Sequence, residues 1–255
     1  RLGTLQNKAK FEIANALLEG RLSFKKAQEM IGTPGYAPNE LEKLILAMAF
    51  CHVGFSFKLK LYGGFLRDLY AGIEFNDVDM YIPLDIEYTN LRIIEEAIPR
   101  MVSLILGEEP MTVTFTQVHE SLIPPGMPQH RYQTNVYVYE LKLHNITVMV
   151  DISIGNNLDK KSHGPHAGYR PQRNYRPAAT IGSSLEYDGT TLSYRDHSLS
   201  SKYSISRIKS LLFEGKDIKR ELTFIEKKSI DVESMNSYAN PKYAKLEEKG
   251  YIFVT

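Results

Sequence analysis

Tryptophan is absent from this chain of 255 residues, cysteine occurs once, and the formal net charge is only +1. A lone Cys51 excludes an internal disulfide and any thiolate zinc site built within one chain. The near-neutral balance excludes a protein that is basic over its whole surface. Long apolar runs are missing too. The longest, "LILAMAF" and "MVSLIL", fall far short of the roughly 20 residues a membrane helix needs. No secretory leader pattern, internal repeat or low-complexity tract is visible. These absences predict a non-membrane protein of a reducing compartment, the cytoplasm, with a viral setting included.

What is present fits a globular chain with a sizeable core: 43% apolar and 24% charged residues. Apolar spacing predicts helices in "NKAKFEIANALLEG", closed by Gly20, in "LSFKKAQEMIG", closed by Gly32, and in "PNELEKLILAMAFCHVG" with Pro38 near its start. "SFKLKLYG" alternates and reads as a strand, "GGFLRDLYAG" as a turn and helix ending at Gly72, and "NDVDMYIP" as a second strand. "YTNLRIIEEAIPRMVSLILG" reads as a helix broken or kinked at Pro99. "MTVTFTQV" reads as a strand, and "TNVYVYELKLHN" with "ITVMVDISIG" as a hairpin turning at His144-Asn145. A long aperiodic loop is expected from Gly155 to Thr180, then short strands around Asp188-Gly189, then short helices and a final strand. The fold expected is α/β (α+β), a mixed sheet flanked by helices. Its parts are a helical segment 1–54 packed on a core 55–155, a loop and hairpin region 156–200 and a helical extension 201–255.

Two segments, 158–177 and 201–220, concentrate Lys, Arg and His, and local patches of that kind can hold phosphates while the total charge stays near zero. Solvated surface is the plainer account of each.

The stretch "LYGGFLRDLYAGIEFNDVDMYIP" (61–83) carries more chemistry. Side chains at i and i+2 of a strand share a face, so Asp77 and Asp79 project together. Like charges that close call for water or a cation between them. Asp151 stands in the apolar run "TVMVDISIG", with Val150 and Ile152 facing the opposite way into a core. A carboxylate in such a strand needs charged partners, and metal ions shared with Asp77 and Asp79 would supply them. Mg²⁺, or Mn²⁺, favours oxygen ligands and retains substrate phosphates among them. Gly63 and Gly64, at a strand-to-helix turn, let backbone N–H groups approach a phosphate. Arg67 is one turn into that helix, within reach of a phosphate oxygen, and Asp68 can cap or pair locally.

At these residues the chain resembles the poly(A) polymerase and tRNA CCA-adding branch of the DNA polymerase β-like nucleotidyltransferases. That branch carries a strand, Gly-Gly, two residues, Arg-Asp, a short helix and Asp-x-Asp. The resemblance implies that Gly63 and Gly64 border a nucleoside triphosphate and that Arg67 contacts phosphate. It implies further that Asp77 and Asp79 bind two Mg²⁺, with Asp151 as the third acid. The reaction implied is transfer of a nucleoside monophosphate from an NTP to an acceptor hydroxyl. An RNA or other nucleic-acid 3′ end is the first acceptor to consider, a protein side chain or small molecule the next. The likeness covers 57–83 closely and 110–155 by pattern.

The chain also departs from the family. Its Arg-Asp-Phe-Thr-Ile-Asn segment corresponds here to "YRPAATIGSSLEYDG", with Ala178-Ala179 in place of Arg-Asp, or with the arginine displaced to Arg176. No Glu-Asp-x-x-Arg base-reading element is evident, and "KDIKR" (Asp217, Arg220) reads as a common helix pair. CCA addition is therefore not expected, and a non-catalytic scaffold or nucleic-acid-binding module is the rival reading. Base stacking by Tyr169 or Tyr175 remains an option. His163 and His166 lack further zinc ligands, "HNIT" is a glycosylation pattern without a secretory leader, and Cys51, at a helix end, does not face the adjacent His52.

Overall fold

The computed structural model describes residues 2–32, 38–83, 91–121, 135–154, 180–195, 197–220 and 243–255. Three helices come first: α1 (Leu2–Leu18), α2 (Phe24–Glu29) and α3 (Pro38–Ser56). Ser23 caps α2 by accepting from the Lys26 amide at 3.2 Å. Every residue of α3 from Leu44 to Cys51 is buried, so the middle two turns of this helix are apolar all round and run through the core. Cys51 lies well inside α3 rather than at its end, and burial pushes its thiol pKa up, away from reactivity.

The sequence reading of a strand from Ser56 needs correction. The third helix runs to Ser56, Lys58 turns the chain with φ +63°, and β1 spans only Lys60–Tyr62. It leads directly into α4 (Gly63–Ala71), closed by Gly72 in the left-handed conformation, and then β2 (Asp77–Ile82). Helix α5 (Leu91–Ile105) carries Pro99 inside it, so of the break or kink expected there the break does not occur. The Ser103 hydroxyl donates to the Pro99 carbonyl at 2.6 Å and accepts from the Val113 amide at 3.0 Å, which ties the helix end to the chain that follows.

Strands β3 (Thr114–Ser121), β4 (Asn135–Leu143) and β5 (Ile146–Ile154) form a meander, and β4 and β5 turn at His144-Asn145 as expected. Beyond it come β6 (Leu185–Tyr187) and β7 (Leu192–Tyr194) around the Asp188-Gly189 turn, where the Asp188 carboxylate accepts from the Thr190 and Thr191 amides. The seven strands make one mixed sheet in the order β3-β4-β5-β2-β1-β6-β7. β2 runs parallel to β5 and antiparallel to β1.

The remaining described residues hold α6 (Ile205–Phe213), a helical stretch 243–248, and a small parallel sheet of β8 (Lys216–Ile218) and β9 (Ile252–Val254). The C-terminal part is thus not purely helical, and Asp217 sits on a strand instead of in a helix pair with Arg220. The expected sites at His163, His166, Tyr169, Tyr175, Arg176, Ala178 and Ala179 lie outside the described residues. No helix among the described residues is long and apolar enough to cross a membrane.

The sheet has two unlike faces. Leu61, Val78, Met80, Val150, Ile152 and Leu185 are fully buried and join α1, α3, α4 and α5 in one apolar core. Residues on the other face alternate with these and are polar or aromatic: Lys60 and Tyr62 on β1, Asp77, Asp79 and Tyr81 on β2, Asp151 and Ser153 on β5, Glu186 on β6. This alternation turns the apolar side chains toward the helices and gathers the acids on the opposite face.

Candidate functional site

Asp79 and Asp151 are direct cross-strand partners in the parallel β2–β5 ladder. Asp77, two residues before Asp79, extends the group along the same face. One carboxylate oxygen from each of the three lies within 4.8 Å of the other two, and all three residues are half-buried. Crowding is felt in their acidity. Burial first, then the charges of Asp77 and Asp151, push Asp79 up to about 7. Burial and the Asp77 charge push Asp151 up to about 6. Such a set releases its protons most readily to a hard divalent cation, whose preferred ligands are carboxylate oxygens. The donor chemistry therefore fits Mg²⁺ or Mn²⁺.

The glycine turn abuts this group. Gly63 has φ +70°, a conformation an L side chain enters only at a cost, and it starts α4 directly after β1. A Cβ at Gly63 would lie 3.7 Å from Asp79 Oδ2, so the backbone passes close to the carboxylate without collision. The Phe65 amide donates to Asp79 Oδ2 at 3.2 Å. Tyr62 gives α4 no side-chain cap, so this carboxylate answers one of the helix's otherwise unpaired amides.

Gly63, Gly64, Asp77, Asp79 and Asp151 are thus gathered in one place, as the sequence suggested. Arg67 is not available there in the way expected. It is 6% exposed, and its Nε and Nη2 both contact Asp68 Oδ1 at 2.9 Å. Its guanidinium folds beneath Gly64, whose Cβ would meet Nη2 at 3.3 Å, and stands 5.4 Å from the Tyr251 ring centroid. Asp68 also accepts from Lys249 Nζ at 2.7 Å and from the Tyr251 hydroxyl at 2.8 Å. Arg67 and Asp68 therefore anchor α4 to the C-terminal segment. Asp217, buried on β8, extends the anchor by accepting from the Gly182 amide at 3.0 Å.

Sequence reasoning missed the side chains beside the acids. Tyr62 bonds through its hydroxyl to Ser153 Oγ at 2.9 Å, so its ring reaches across β2. Burial and the charges of Asp79 and Asp151 push that phenol up to about 12. Tyr81 donates to Glu186 at 2.5 Å, and its ring meets Tyr62 edge-on with centroids 5.4 Å apart. Arg195 lays its guanidinium 4.5 Å from the Tyr62 centroid and 5.6 Å from that of Tyr81. The available signal was parity: Tyr81 is two residues from Asp79, and Ser153 two from Asp151. Arg195 had none, because it arrives from β7, three strands away from Asp79.

Compared with protein-family models, curated proteins and solved structures, the chain matches none of them.

Proposed function

We propose that this protein is a divalent-metal-dependent nucleotidyltransferase that moves a nucleoside monophosphate from an NTP to an acceptor hydroxyl, releasing pyrophosphate. One observation carries the reading: three carboxylates from two parallel strands converge within 4.8 Å of one another, beside a glycine turn whose helix start faces one of them. When bound, two Mg²⁺ or Mn²⁺ ions supply charge neutralisation and a lowered pKa for the acceptor hydroxyl. Asp77 and Asp79 would hold both ions and Asp151 the one nearer the acceptor. The chain's own part is to hold these oxygens crowded, so that a bound cation would relieve their mutual repulsion and displace their protons, and to offer the amides of the Gly63-Gly64 turn to the triphosphate. A nucleic-acid 3′ end is the acceptor we favour.

One observation favours a second reading, a nucleotidyltransferase fold without catalysis. The arginine of the Gly-Gly signature, Arg67, is committed to Asp68 and buried. The two readings separate on incubation with each labelled NTP, Mg²⁺ or Mn²⁺ and total RNA, beside Asp77→Asn/Asp79→Asn. Label that enters RNA only with the wild type supports the first. Label on protein or a small molecule keeps the chemistry and changes the acceptor. Metal-independent nucleotide binding with no incorporation supports the scaffold.

A further inference from the structure

Arg195 stands with Lys60 on the face of the sheet that carries the acids, and its contacts there among the described residues are ring faces. Its backbone is fixed, since the amide donates to the Ser184 carbonyl at 2.8 Å, next to the β6–β7 pairing. Its side chain reaches back over Tyr62 and Tyr81. Nε is buried with no hydrogen-bond partner among the described residues, and no carboxylate of those residues lies within ion-pair distance of the guanidinium. Glu186, the acid nearest in the register, already accepts from Tyr81 and has Lys60 Nζ at 4.0 Å.

A buried guanidinium N–H left unpaired is costly, and stacking on tyrosines satisfies the face of the cation but none of its edge donors. Those donors are arranged as a fork that matches phosphate oxygens. The position is equally telling. Lys60 pairs with Tyr81, which sets Tyr62 beside Asp79, one strand spacing away, roughly 5 Å. The charges of Asp79, Asp151 and Arg195 all bear on the same Tyr62 hydroxyl. The acids and the guanidinium are therefore neighbours across one tyrosine.

We propose that Arg195, held flat on Tyr62 and Tyr81, binds a phosphate of the substrate beside the three-aspartate site, in the role that Arg67 is too buried to fill. This rests on the nucleotidyltransferase reading. The ligand chemistry is a phosphate oxyanion, either of the NTP or of the acceptor strand's terminal phosphodiester. Tyr62 and Tyr81 are positioning residues, since they orient the guanidinium.

Calorimetric titration of the whole chain tests this with three probes: Mn²⁺ alone, inorganic triphosphate with and without Mn²⁺, and a short single-stranded oligoribonucleotide. Arg195→Gln should weaken at least one phosphate probe by about tenfold or more, the range for charge-assisted hydrogen bonds, and leave Mn²⁺ affinity within about twofold. Loss confined to triphosphate assigns Arg195 to the nucleotide, and loss confined to the oligoribonucleotide assigns it to the acceptor. Arg195→Lys keeps charge without the fork and should fall in between. It also decides the matter if the Gln variant unfolds, because wild-type affinity in Arg195→Lys for both probes would then overturn the proposal. Unchanged affinities in Arg195→Gln, or a wild type that binds neither phosphate probe, would overturn it as well. A wild type that fails to bind Mn²⁺ sinks the metal-dependent reading instead, and the cation-free phosphate titrations still judge Arg195.

Discussion

Crowding three carboxylates on one sheet face should make the metal-free protein less stable as pH rises. Asp79 titrates near 7 in the folded protein, against 3.8 as its ordinary value, because burial and the charges of Asp77 and Asp151 oppose ionisation. Between those two values the folded state holds a proton that the unfolded chain has released. Stability therefore falls with rising pH across that window and is flat above it. At 1.36 kcal/mol per pKa unit, the rise of about three units sets a ceiling of about 4 kcal/mol. Half-exposure of the acids and relaxation around them reduce this to about 2 kcal/mol between pH 5 and pH 7.5, or roughly 4–8 °C in Tm for a chain of this size. The measurement is thermal unfolding at constant ionic strength across that range, wild type against Asp79→Asn. The amide keeps an acceptor for the Phe65 N–H and has nothing to titrate, so its curve should be the flatter, with the variant more stable above pH 7. Mg²⁺ or Mn²⁺ at about 100 times Kd should return about 2.7 kcal/mol to the wild type at pH 8, less as protons compete below pH 7, and little to the variant. Parallel pH curves for the two proteins, or equal rescue by the cation, would refute the claim that the acids share one site.

Three further outcomes follow from the turn and its anchor. Asp68→Ala leaves Arg67 and Lys249 without their shared carboxylate and should cost about 3–5 kcal/mol in urea unfolding, whereas Lys249→Ala, which removes the more exposed partner, should cost less. Gly63→Ala meets no clash, since its Cβ would stand 3.7 Å from Asp79 Oδ2, but forces alanine to φ +70° and should lose about 1–2 kcal/mol. Gly182→Ala drives a Cβ to 2.5 Å from Asp217 Oδ2 and 2.9 Å from Arg67 Cγ, so it should destabilise by about 2–3 kcal/mol, and any loss of nucleotide binding should exceed that of a surface Gly→Ala control such as Gly107→Ala.

The parts of this molecule that sequence could foretell are those where local period and tertiary need agree. Asp77 and Asp79 share a face because strands repeat every two residues, and Asp151 joins them because Val150 and Ile152 had to point into the core. Helix α1 and the β4–β5 hairpin have their stops written in Gly20 and in His144-Asn145 and end near where expected, whereas α2 already ends at Glu29, capped by Met30 and short of Gly32. Failures occurred where distant pairing decided the outcome. Strand β8 is three residues long and exists because it pairs with β9, so "KDIKR" contained no local sign of it. The stretch 56–59 alternates well enough for a strand, yet the buried helix α3 runs on into it and β1 begins only at Lys60. Arg67 is the most instructive case. Sequence specifies how far an arginine reaches but not the direction it takes, and the groups that turned it inward, Lys249 and Tyr251 around Asp68, come from more than 180 residues away. The same limit hid Arg195, which β7 delivers to the acids' side of the sheet. Strand and turn geometry can thus place neighbouring acids and glycines locally, while the direction an arginine takes, inward for Arg67 and over Tyr62 and Tyr81 for Arg195, is chosen by the topology of the whole chain.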